Sequence, residues 1–231
     1  MVSNLNIDKS INLLQEVRVL HALCDNGVTL HCDFENYQKL QPLKDFFDCN
    51  INLGFNPTGE SFNSLVTIVH HEPITKVGGL TRNLIFPKSL IEFCQTENND
   101  KLDEIYFRGL ITDKRAKSIN KLKSITNKKL VIDSSNKGRE FPLKTFDKDY
   151  FNEMQKYKFV FCPDGDFIWS YRFFESVMCG AIPIVENETK LFEGFYYYNL
   201  QSDLDTITWN EEWVIKNLEL LNENFTYGFN K

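Results

Sequence analysis

In the second half of the chain, short apolar runs alternate with amphipathic stretches, and this pattern predicts strands and helices that follow one another. We predict strands at 104–108, 130–133, 157–162 and 182–185, and helices at 113–125, 147–156, 170–179 and 210–221. Such alternation predicts right-handed crossovers and a parallel sheet with both faces covered. Ligands of such sheets bind beyond the carboxyl ends of the strands.

The first half has fewer clear strand signals. An amphipathic helix is predicted at 8–24, a short strand at 28–32, and a helix at 34–47 that Pro42 interrupts. We predict a loop at 49–61, a buried strand at 65–69, and at 83–93 a helix or part of one, bent at Pro87. We therefore identify two or three strands here, and the polar stretch 95–101 predicts a linker between domains 1–98 and 99–231.

Composition indicates a globular protein with a substantial core. The chain has 231 residues, of which 42% are hydrophobic and 14% aromatic, enough for one large domain or two small ones. No window approaches the ~18 apolar residues of a membrane span. The N-terminal residues have no basic region followed by an apolar one, so we expect no signal peptide and a soluble, cytoplasmic protein.

Charge is unevenly distributed along the chain. The net charge of −6 argues against nucleic acid as a partner. Residues 101–148 nevertheless hold 13 Lys and Arg against 6 Asp and Glu, so this stretch carries +7 and the remainder −13. A basic stretch within an acidic protein suits an anionic ligand such as a nucleotide diphosphate, although a solvated lysine-rich helix face would also explain it.

The six cysteines predict neither a disulfide framework nor a metal site. None has C-x-x-C spacing, and without a secretion signal we expect reduced, mostly buried thiols. His21, Cys24, His31 and Cys32 lie close in sequence, but their order fits no common zinc site, and adjacent residues of a strand point to opposite faces. We expect no metal and no other cofactor.

The most informative segment runs from Tyr157 to Val185 as strand, loop, helix and strand. Its helix is predicted to begin near Ser170, where free backbone N–H groups and the helix dipole favour a phosphate. Arg172 would add a phosphate ligand, and Glu175, three residues later on the same face, could accept hydrogen bonds from ribose hydroxyls. The alternative is an ion pair between Arg172 and Glu175 on the helix surface.

This segment resembles the donor-binding signature of exostosin-like glycosyltransferases over about thirty residues. The matching positions are Phe161, Cys162, Pro163, Gly165, Ser170, Arg172, Glu175, Gly180, Pro183 and Ile184. The resemblance implies a compact GT-B-like fold of two Rossmann-like parallel-sheet domains, here with a reduced first domain. It also implies metal-independent transfer of a sugar from a nucleotide-sugar donor to a glycan acceptor, with the donor on the C-terminal domain.

Further donor-binding residues are expected at the same sheet edge. Arg108 follows a predicted strand directly, Gly109 lets the backbone approach a ligand, and Arg115 opens the next helix. Their positive charges would hold the leaving diphosphate, and related two-domain transferases resemble this arrangement. Arg108 could instead pair with Asp133. The loop Lys137-Gly138-Arg139 could close over the donor, although a solvated loop is the simpler interpretation.

An inverting transfer also needs a general base for the acceptor hydroxyl. His70, His71 and Glu72 end the predicted strand at 65–69, and Glu72 or His71 is our candidate base, with an apolar wall expected to raise the pKa of Glu72. A retaining mechanism would need no such base. Asp164 and Asp166 resemble a D-x-D metal motif, but their place before the R-x-x-E helix favours a loop role.

Two other functions remain compatible with the sequence. A different nucleotide-using transferase could have the same sheet, although G-x-x-x-x-G-K-S/T and G-x-G-x-x-G motifs are missing from the sequence. A non-catalytic module that binds a nucleotide-sugar or a glycan is the second alternative, and the short first half favours it.

Overall fold

The computed structural model describes residues 2–69, 71–95, 100–135 and 146–228, and it is an α/β protein with parallel sheets. The chain divides into two compact units. The first contains the described residues of Met1–Ile91, Arg139–Asp147 and Glu223–Lys231, and the second those of Glu92–Gly138 and Lys148–Asn222. The sequence predicts a domain boundary between residues 98 and 99. In the structure the first segment of the first unit ends at Ile91, and the second unit begins at Glu92.

The first unit contains a four-stranded parallel sheet. Its strands are β1 (Asn4–Ile7), β2 (Thr29–Cys32), β3 (Ile51–Leu53) and β4 (Glu60–Ser61), in the order β3-β2-β1-β4. Only β2 has a counterpart in the sequence prediction. The others were missed because each has only two to four residues, too few for a periodic signal, and the stretch 49–61 is rich in turn residues.

A separate three-stranded antiparallel sheet corrects the prediction for residues 65–69. Its strands β5 (Val66–Val69), β6 (Ile74–Val77) and β7 (Leu80–Arg82) pair in chain order. On β5 Val66 is buried, but Thr67 is exposed and the next two residues are half-buried. The predicted strand is thus confirmed, but its predicted burial is wrong, because an apolar run cannot distinguish a central parallel strand from one strand of a hairpin.

Four helices belong to this part of the chain: α1 (Leu14–Cys24), α2 (Phe34–Phe47), α3 (Phe62–Leu65) and α4 (Lys88–Phe93). Glu16 caps α1 by accepting from the backbone N–H groups of Asn12 and Leu13, each at 2.9 Å. The Asp33 carboxylate caps α2 by accepting from Asn36 N at 2.9 Å. Contrary to the prediction, α2 continues through Pro42. Residues 83–93 are predicted to be a helix or part of one, and the helix there is Lys88–Phe93.

The second unit contains a five-stranded parallel sheet; the sequence predicts the parallel sheet and four of its strands, but not Tyr198–Asn199. Its strands are β8 (Leu102–Gly109), β9 (Leu130–Ser134), β10 (Tyr157–Cys162), β11 (Ile182–Val185) and β12 (Tyr198–Asn199). Their order is β12-β11-β10-β8-β9, and every pair is parallel. The order reverses between β8 and β10, which is the switch point where doubly wound sheets bind ligands.

The helices of the second unit follow the predicted pattern closely. They are α5 (Asp113–Ser124), α6 (Lys148–Met154), α7 (Tyr171–Met178), the 3₁₀ helix Lys190–Phe192 and α8 (Glu211–Asn224). Residues Phe159, Phe161, Ile182 and Ile184 on the central strands are fully buried and form the core with Ile119 and Leu122 of α5. Among the described residues, no helix has the length and apolarity needed to span a bilayer.

Candidate functional site

The switch point of the second sheet brings together the residues that the sequence assigns to the donor site. The loop after β8 leads through Gly109 to the start of α5, and the loop after β10 leads through Pro163 and Gly165 to the start of α7. Because β8 and β10 are parallel neighbours, their carboxyl ends meet at one edge. The fold therefore brings together two loops that are more than fifty residues apart in sequence. We call the site between the loop after β8 and the loop after β10 the crevice.

Arg172, the second residue of α7, is the central side chain of this crevice. It is 9% exposed, and its Nη2 donates to the backbone carbonyl of Arg108 at 2.7 Å. Its guanidinium carbon lies 4.5 Å from the centroid of the Phe107 ring, a cation–π contact. Nε and Nη1 are buried without a hydrogen-bond partner among the described residues. Since buried donors are normally paired, these two N–H groups point to a missing acceptor.

Other unpaired donors lie immediately before Arg172. Ser170 is the N-cap of α7, yet its hydroxyl makes no capping bond and is buried without a partner within the described chain. The indole Nε1 of Trp169 is likewise buried and unpaired there. A capping serine normally satisfies one of the free N–H groups of the first turn. The start of α7 therefore concentrates donors, which suits an anion.

Glu175 lies one turn further along α7 and is also buried, at 6% exposure. Its Oε2 accepts a hydrogen bond from the hydroxyl of Tyr150 on α6 at 2.9 Å. Arg172 and Glu175 are both buried and make no ion pair with each other in the described part of the chain. The alternative of a helix-surface ion pair is therefore wrong.

Gly109 has a different role from the one that the sequence suggests. Its φ is +154°, and a Cβ at this position would lie 2.5 Å from Nη2 of Arg172. The missing side chain thus makes room for the Arg172 guanidinium, rather than directly for a ligand. The resulting contact ties the end of β8 to the start of α7.

We predict that Gly109→Ala displaces the guanidinium of Arg172 and also strains the backbone by about 1–3 kcal/mol. The arginine tip can move, so the protein should still fold but lose the bond to the Arg108 carbonyl. Urea unfolding would measure the destabilisation. Gly79→Ala is the matched control, because no atom lies within 4 Å of its Cβ position. Equal stability of the two variants would contradict this prediction.

The remaining loop residues hold the crevice in shape. Arg115 donates from Nη1 to the carbonyl of Leu110 at 3.0 Å and from Nε to that of Asp164 at 3.5 Å, so it links the two loops. Pro163 is buried, and a Cβ on Gly165 would lie 3.3 Å from the Trp169 carbonyl. These positions thus contact the protein itself.

Asp164 is buried and fixed by neighbouring polar groups. Its Oδ2 accepts from Asn187 at 2.9 Å, and Lys114 lies 3.5 Å from the same oxygen. Its backbone N–H donates to Glu186 at 3.3 Å, and Glu186 also accepts from Ser118 at 2.8 Å. Asp164 therefore has a structural place in the loop, while Asp166 is exposed. No group of three potential metal ligands occurs in the described residues.

Arg108 makes the ion pair that the sequence left open. Its Nε lies 3.1 Å from Oδ2 of Asp133, the residue opposite it on β9. The Arg108 side chain is 11% exposed and Asp133 is 47% exposed. A positive charge is thus held at the strand end beside Gly109, partly compensated by a carboxylate.

The candidate bases lie in the first unit. His71 and Glu72 are exposed in the turn that joins β5 to β6. The exposure of Glu72 differs from the apolar surroundings that the sequence led us to expect there. His70 and the loop Lys137-Gly138-Arg139 lie outside the described residues.

Sequence reasoning missed three side chains of the crevice. Phe107 stacks on Arg172, Tyr150 bonds to Glu175, and Trp169 contributes a buried donor. The apolar run Ile105–Phe107 in β8 could have indicated a buried Phe107, and an indole beside the helix start could have indicated a donor. Tyr150 had no signal, because its contact joins two helices that are separated by a strand.

Comparison with known proteins adds no identification. No protein-family model matches the chain, and no curated protein has a significant sequence match to it. The exostosin-like signature therefore remains a resemblance over about thirty residues. Any proposal about function depends on the geometry of the site itself.

Proposed function

We propose that this protein is a glycosyltransferase that moves a sugar from a nucleotide-sugar donor to a hydroxyl group of a glycan, without a metal. The observation that carries the proposal is Arg172 at the start of α7, a nine-tenths buried side chain whose Nε and Nη1 have no partner among the described residues. The switch point of a doubly wound sheet is where such a ligand binds. The diphosphate of the donor is the anion that would pair with these donors.

The chemistry of transfer requires this kind of group. The bond between the sugar C1 and the diphosphate oxygen breaks, and its electron pair stays on the leaving diphosphate. Arg172 and the N-terminus of α7 would stabilise that charge as it develops, with Arg108 and Arg115 nearby on the β8 side. Glu175 would accept hydrogen bonds from the ribose.

The acceptor oxygen forms the new bond to C1 and gives up its proton. In an inverting reaction Glu72 or His71 would take that proton. This assignment requires the first unit to be the acceptor domain of a GT-B-like enzyme, and we include that arrangement in the proposal.

A non-catalytic module that binds a nucleotide-sugar is the second candidate. The exposure of Glu72 and His71 on the turn after β5 favours it, because a general base works best in a site that positions the acceptor hydroxyl and excludes water. Both candidates share the donor site and differ only in turnover.

A thermal-shift panel tests the donor site common to both. UDP-, GDP-, CMP- and dTDP-sugars are added at increasing concentration, and a ligand at about 100 times its Kd should stabilise the protein by ~2.7 kcal/mol. We expect a concentration-dependent rise in Tm with one nucleotide. No shift with any of them would overturn the proposal.

Turnover separates the two candidates. A transferase should slowly release free sugar from the bound donor, because water can replace the acceptor. Loss of this hydrolysis in Glu72→Ala or His71→Ala, with unchanged donor binding, would support the catalytic candidate. Donor binding without any hydrolysis or transfer would favour the module.

A further inference from the structure

Three large apolar side chains are exposed together at one edge of the parallel sheet in the first unit. Phe34, Leu53 and Phe55 are 61%, 60% and 57% exposed. Strand β2 ends at Cys32 and β3 at Leu53, and these two residues are parallel partners. The backbone N–H of Gly54 also donates to the carbonyl of Cys32 at 2.8 Å. The start of α2 and the loop after β3 therefore lie side by side, and we call Phe34, Leu53 and Phe55 the apolar platform.

The loop that carries Phe55 is held in a fixed shape by one side chain of β1. Nδ2 of Asn6 donates to the carbonyls of Asn56 at 2.8 Å and Gly59 at 3.1 Å, and its Oδ1 accepts from Asn56 N at 2.8 Å. Oδ1 of Asn56 in turn accepts from the backbone N–H and the hydroxyl of Thr58, each at 2.9 Å. Phe55 is thus presented to solvent on a rigid support, which lowers the entropic cost of binding a ligand.

The place of the apolar platform in the fold is one where ligands bind. The strand order β3-β2-β1-β4 has later strands on both sides of β1, and ligands of such doubly wound sheets lie beyond the carboxyl ends of the strands. The platform follows the carboxyl ends of β2 and β3. Apolar side chains that cluster on a surface mark binding sites more often than side chains that are exposed singly.

The size and charge of the apolar platform restrict what can bind there. Its two phenylalanines and Leu53 together present roughly 350 Å². A stable interface between two protein chains buries about 800 Å² on each partner. Asp33 and Glu35, on either side of Phe34, oppose an anionic bilayer, although Lys39 lies 2.6 Å from Glu35 and compensates that charge. A small ligand therefore fits the platform better than a second copy of the chain or a membrane.

A neutral sugar has the chemistry that this surface offers. The C–H groups on one face of a pyranose ring carry a small positive charge and pack against the negative face of an aromatic ring. The hydroxyl groups of the sugar lie at its rim and need polar partners beside the aromatic rings. Asp33 and Asn52 are exposed polar residues next to Phe34 and Leu53 in sequence. The platform thus matches a neutral glycan, whereas an acidic glycan would meet the acidic side chains.

We propose that the apolar platform binds a neutral glycan, with sugar rings stacked on Phe34 and Phe55, and that this glycan is the acceptor. Its role as the acceptor rests on the proposed function, whereas glycan binding itself requires no nucleotide. The inference gives the acceptor a class, neutral rather than acidic, and assigns its binding to named residues of the first unit. Leu53 extends the apolar surface beside the two aromatic rings.

Saturation-transfer NMR titrations test the inference without a nucleotide, using cellohexaose, maltohexaose, chitohexaose and a heparin hexasaccharide. We expect wild type to bind one of the neutral glycans, and to bind it more tightly than the heparin hexasaccharide. Phe34→Leu and Phe55→Leu should each weaken this binding about fivefold to tenfold, because leucine is apolar but has no aromatic face. Phe34→Tyr and Phe55→Tyr keep the aromatic face and should retain the wild-type affinity.

Phe46→Leu is the matched control for the leucine variants. Phe46 is 54% exposed on the same helix, but it lies about 18 Å from Phe34 along the helix axis. The substitution should leave glycan affinity unchanged. Circular dichroism should show the wild-type fold for Phe34→Leu and Phe55→Leu, because both side chains are mostly in solvent.

Several results would overturn the inference. If none of the four glycans binds, or if the leucine variants bind as tightly as wild type, the apolar platform is not a glycan site. If Phe34→Leu and Phe55→Leu instead convert a dimer into a monomer in size-exclusion chromatography, the platform is an interface between copies. The donor site is tested separately: glycan binding through Phe34 and Phe55, with no nucleotide-sugar raising the Tm, would support the platform and contradict the proposed function.

Discussion

Replacing Arg172 by alanine is expected to weaken binding of a nucleoside diphosphate at least about 100-fold, because two charge-assisted hydrogen bonds to phosphate are worth ~1.5–3 kcal/mol each. Nε and Nη1 are the donors that we expect to make these bonds. Lysine at this position should recover only part of the affinity, since an ammonium cannot stack on Phe107 and reach the Arg108 carbonyl in the same geometry. Isothermal titration at fixed salt concentration would measure both variants.

Arg82→Ala is the control for this substitution. Arg82 lies on β7 of the first unit, and its Nε is also buried without a partner among the described residues. Removing it should leave nucleotide affinity unchanged, which would show that the loss depends on the site and not on the removal of an arginine with a buried Nε. Wild-type affinity in Arg172→Ala would place the ligand elsewhere and contradict the donor-site assignment.

The second large effect concerns His21 and the stability of the first unit at low pH. His21, on α1, is fully buried, and burial, aided by the Arg18 charge, lowers its pKa to about 3. Nε2 lies 2.8 Å from the Ser89 hydroxyl, and that hydroxyl lies 2.7 Å from Oδ1 of Asp25. Since Ser89 donates to the carboxylate, it accepts from Nε2–H, so the neutral imidazole fits.

Protonation of His21 would put an N–H on Nδ1, where no hydrogen-bond acceptor is found among the described residues. Nδ1 is buried without a partner among the described residues, and the ring packs against Phe47 with centroids 4.4 Å apart. Asp25 lies 3.8 Å from Nε2 and favours the charged form, but the cost of burial is the larger effect.

The stability contributed by His21 is therefore complete above the ordinary histidine pKa of about 6.5 and is lost as the pH falls towards 3. Between pH 6.5 and pH 3 the imidazole of His21 is protonated in the unfolded chain but neutral in the folded chain. The unfolding free energy should fall by up to ~1.4 kcal/mol per pH unit, on the order of 5 kcal/mol over the whole range from pH 6.5 to 3.

Urea unfolding of wild type and His21→Gln between pH 7 and pH 4 would measure this effect. The difference between the two proteins should shrink as the pH falls, because glutamine keeps a donor for Ser89 and does not titrate. His31→Gln, on β2, is the control and should retain the wild-type slope. Parallel curves for wild type and His21→Gln would show that His21 does not control acid stability.

The sequence predicted the second unit well because its elements are long enough to carry their own periodicity. The predicted strands at 104–108, 130–133 and 182–185 correspond to β8, β9 and β11, and the basic helix at 113–125 corresponds to α5. Alternation of such elements favours a parallel sheet, and the parallel sheet is confirmed. The first unit was predicted poorly: its described residues contain seven strands of two to four residues each.

Local pattern also could not distinguish the two kinds of sheet in the first unit. The apolar run at 65–69 looks the same whether it pairs with a distant parallel strand or with the strand that follows it. Pairing with β6 across a short turn makes it antiparallel, and this decides that His71 and Glu72 are exposed. The environment of the candidate base thus depends on strand pairing, which is non-local.

The sequence by itself determined that Ser170, Arg172 and Glu175 lie at the start of one helix, because three-residue spacing and a helix start are local properties. The tertiary structure alone decided what these residues contact. Gly109 and Phe107 enclose the Arg172 guanidinium, and Tyr150 holds Glu175, because the strand order β10-β8-β9 and the packing of α6 bring separate segments together. Burial then leaves Nε and Nη1 of Arg172 without a partner among the described residues, and only folding can create that condition.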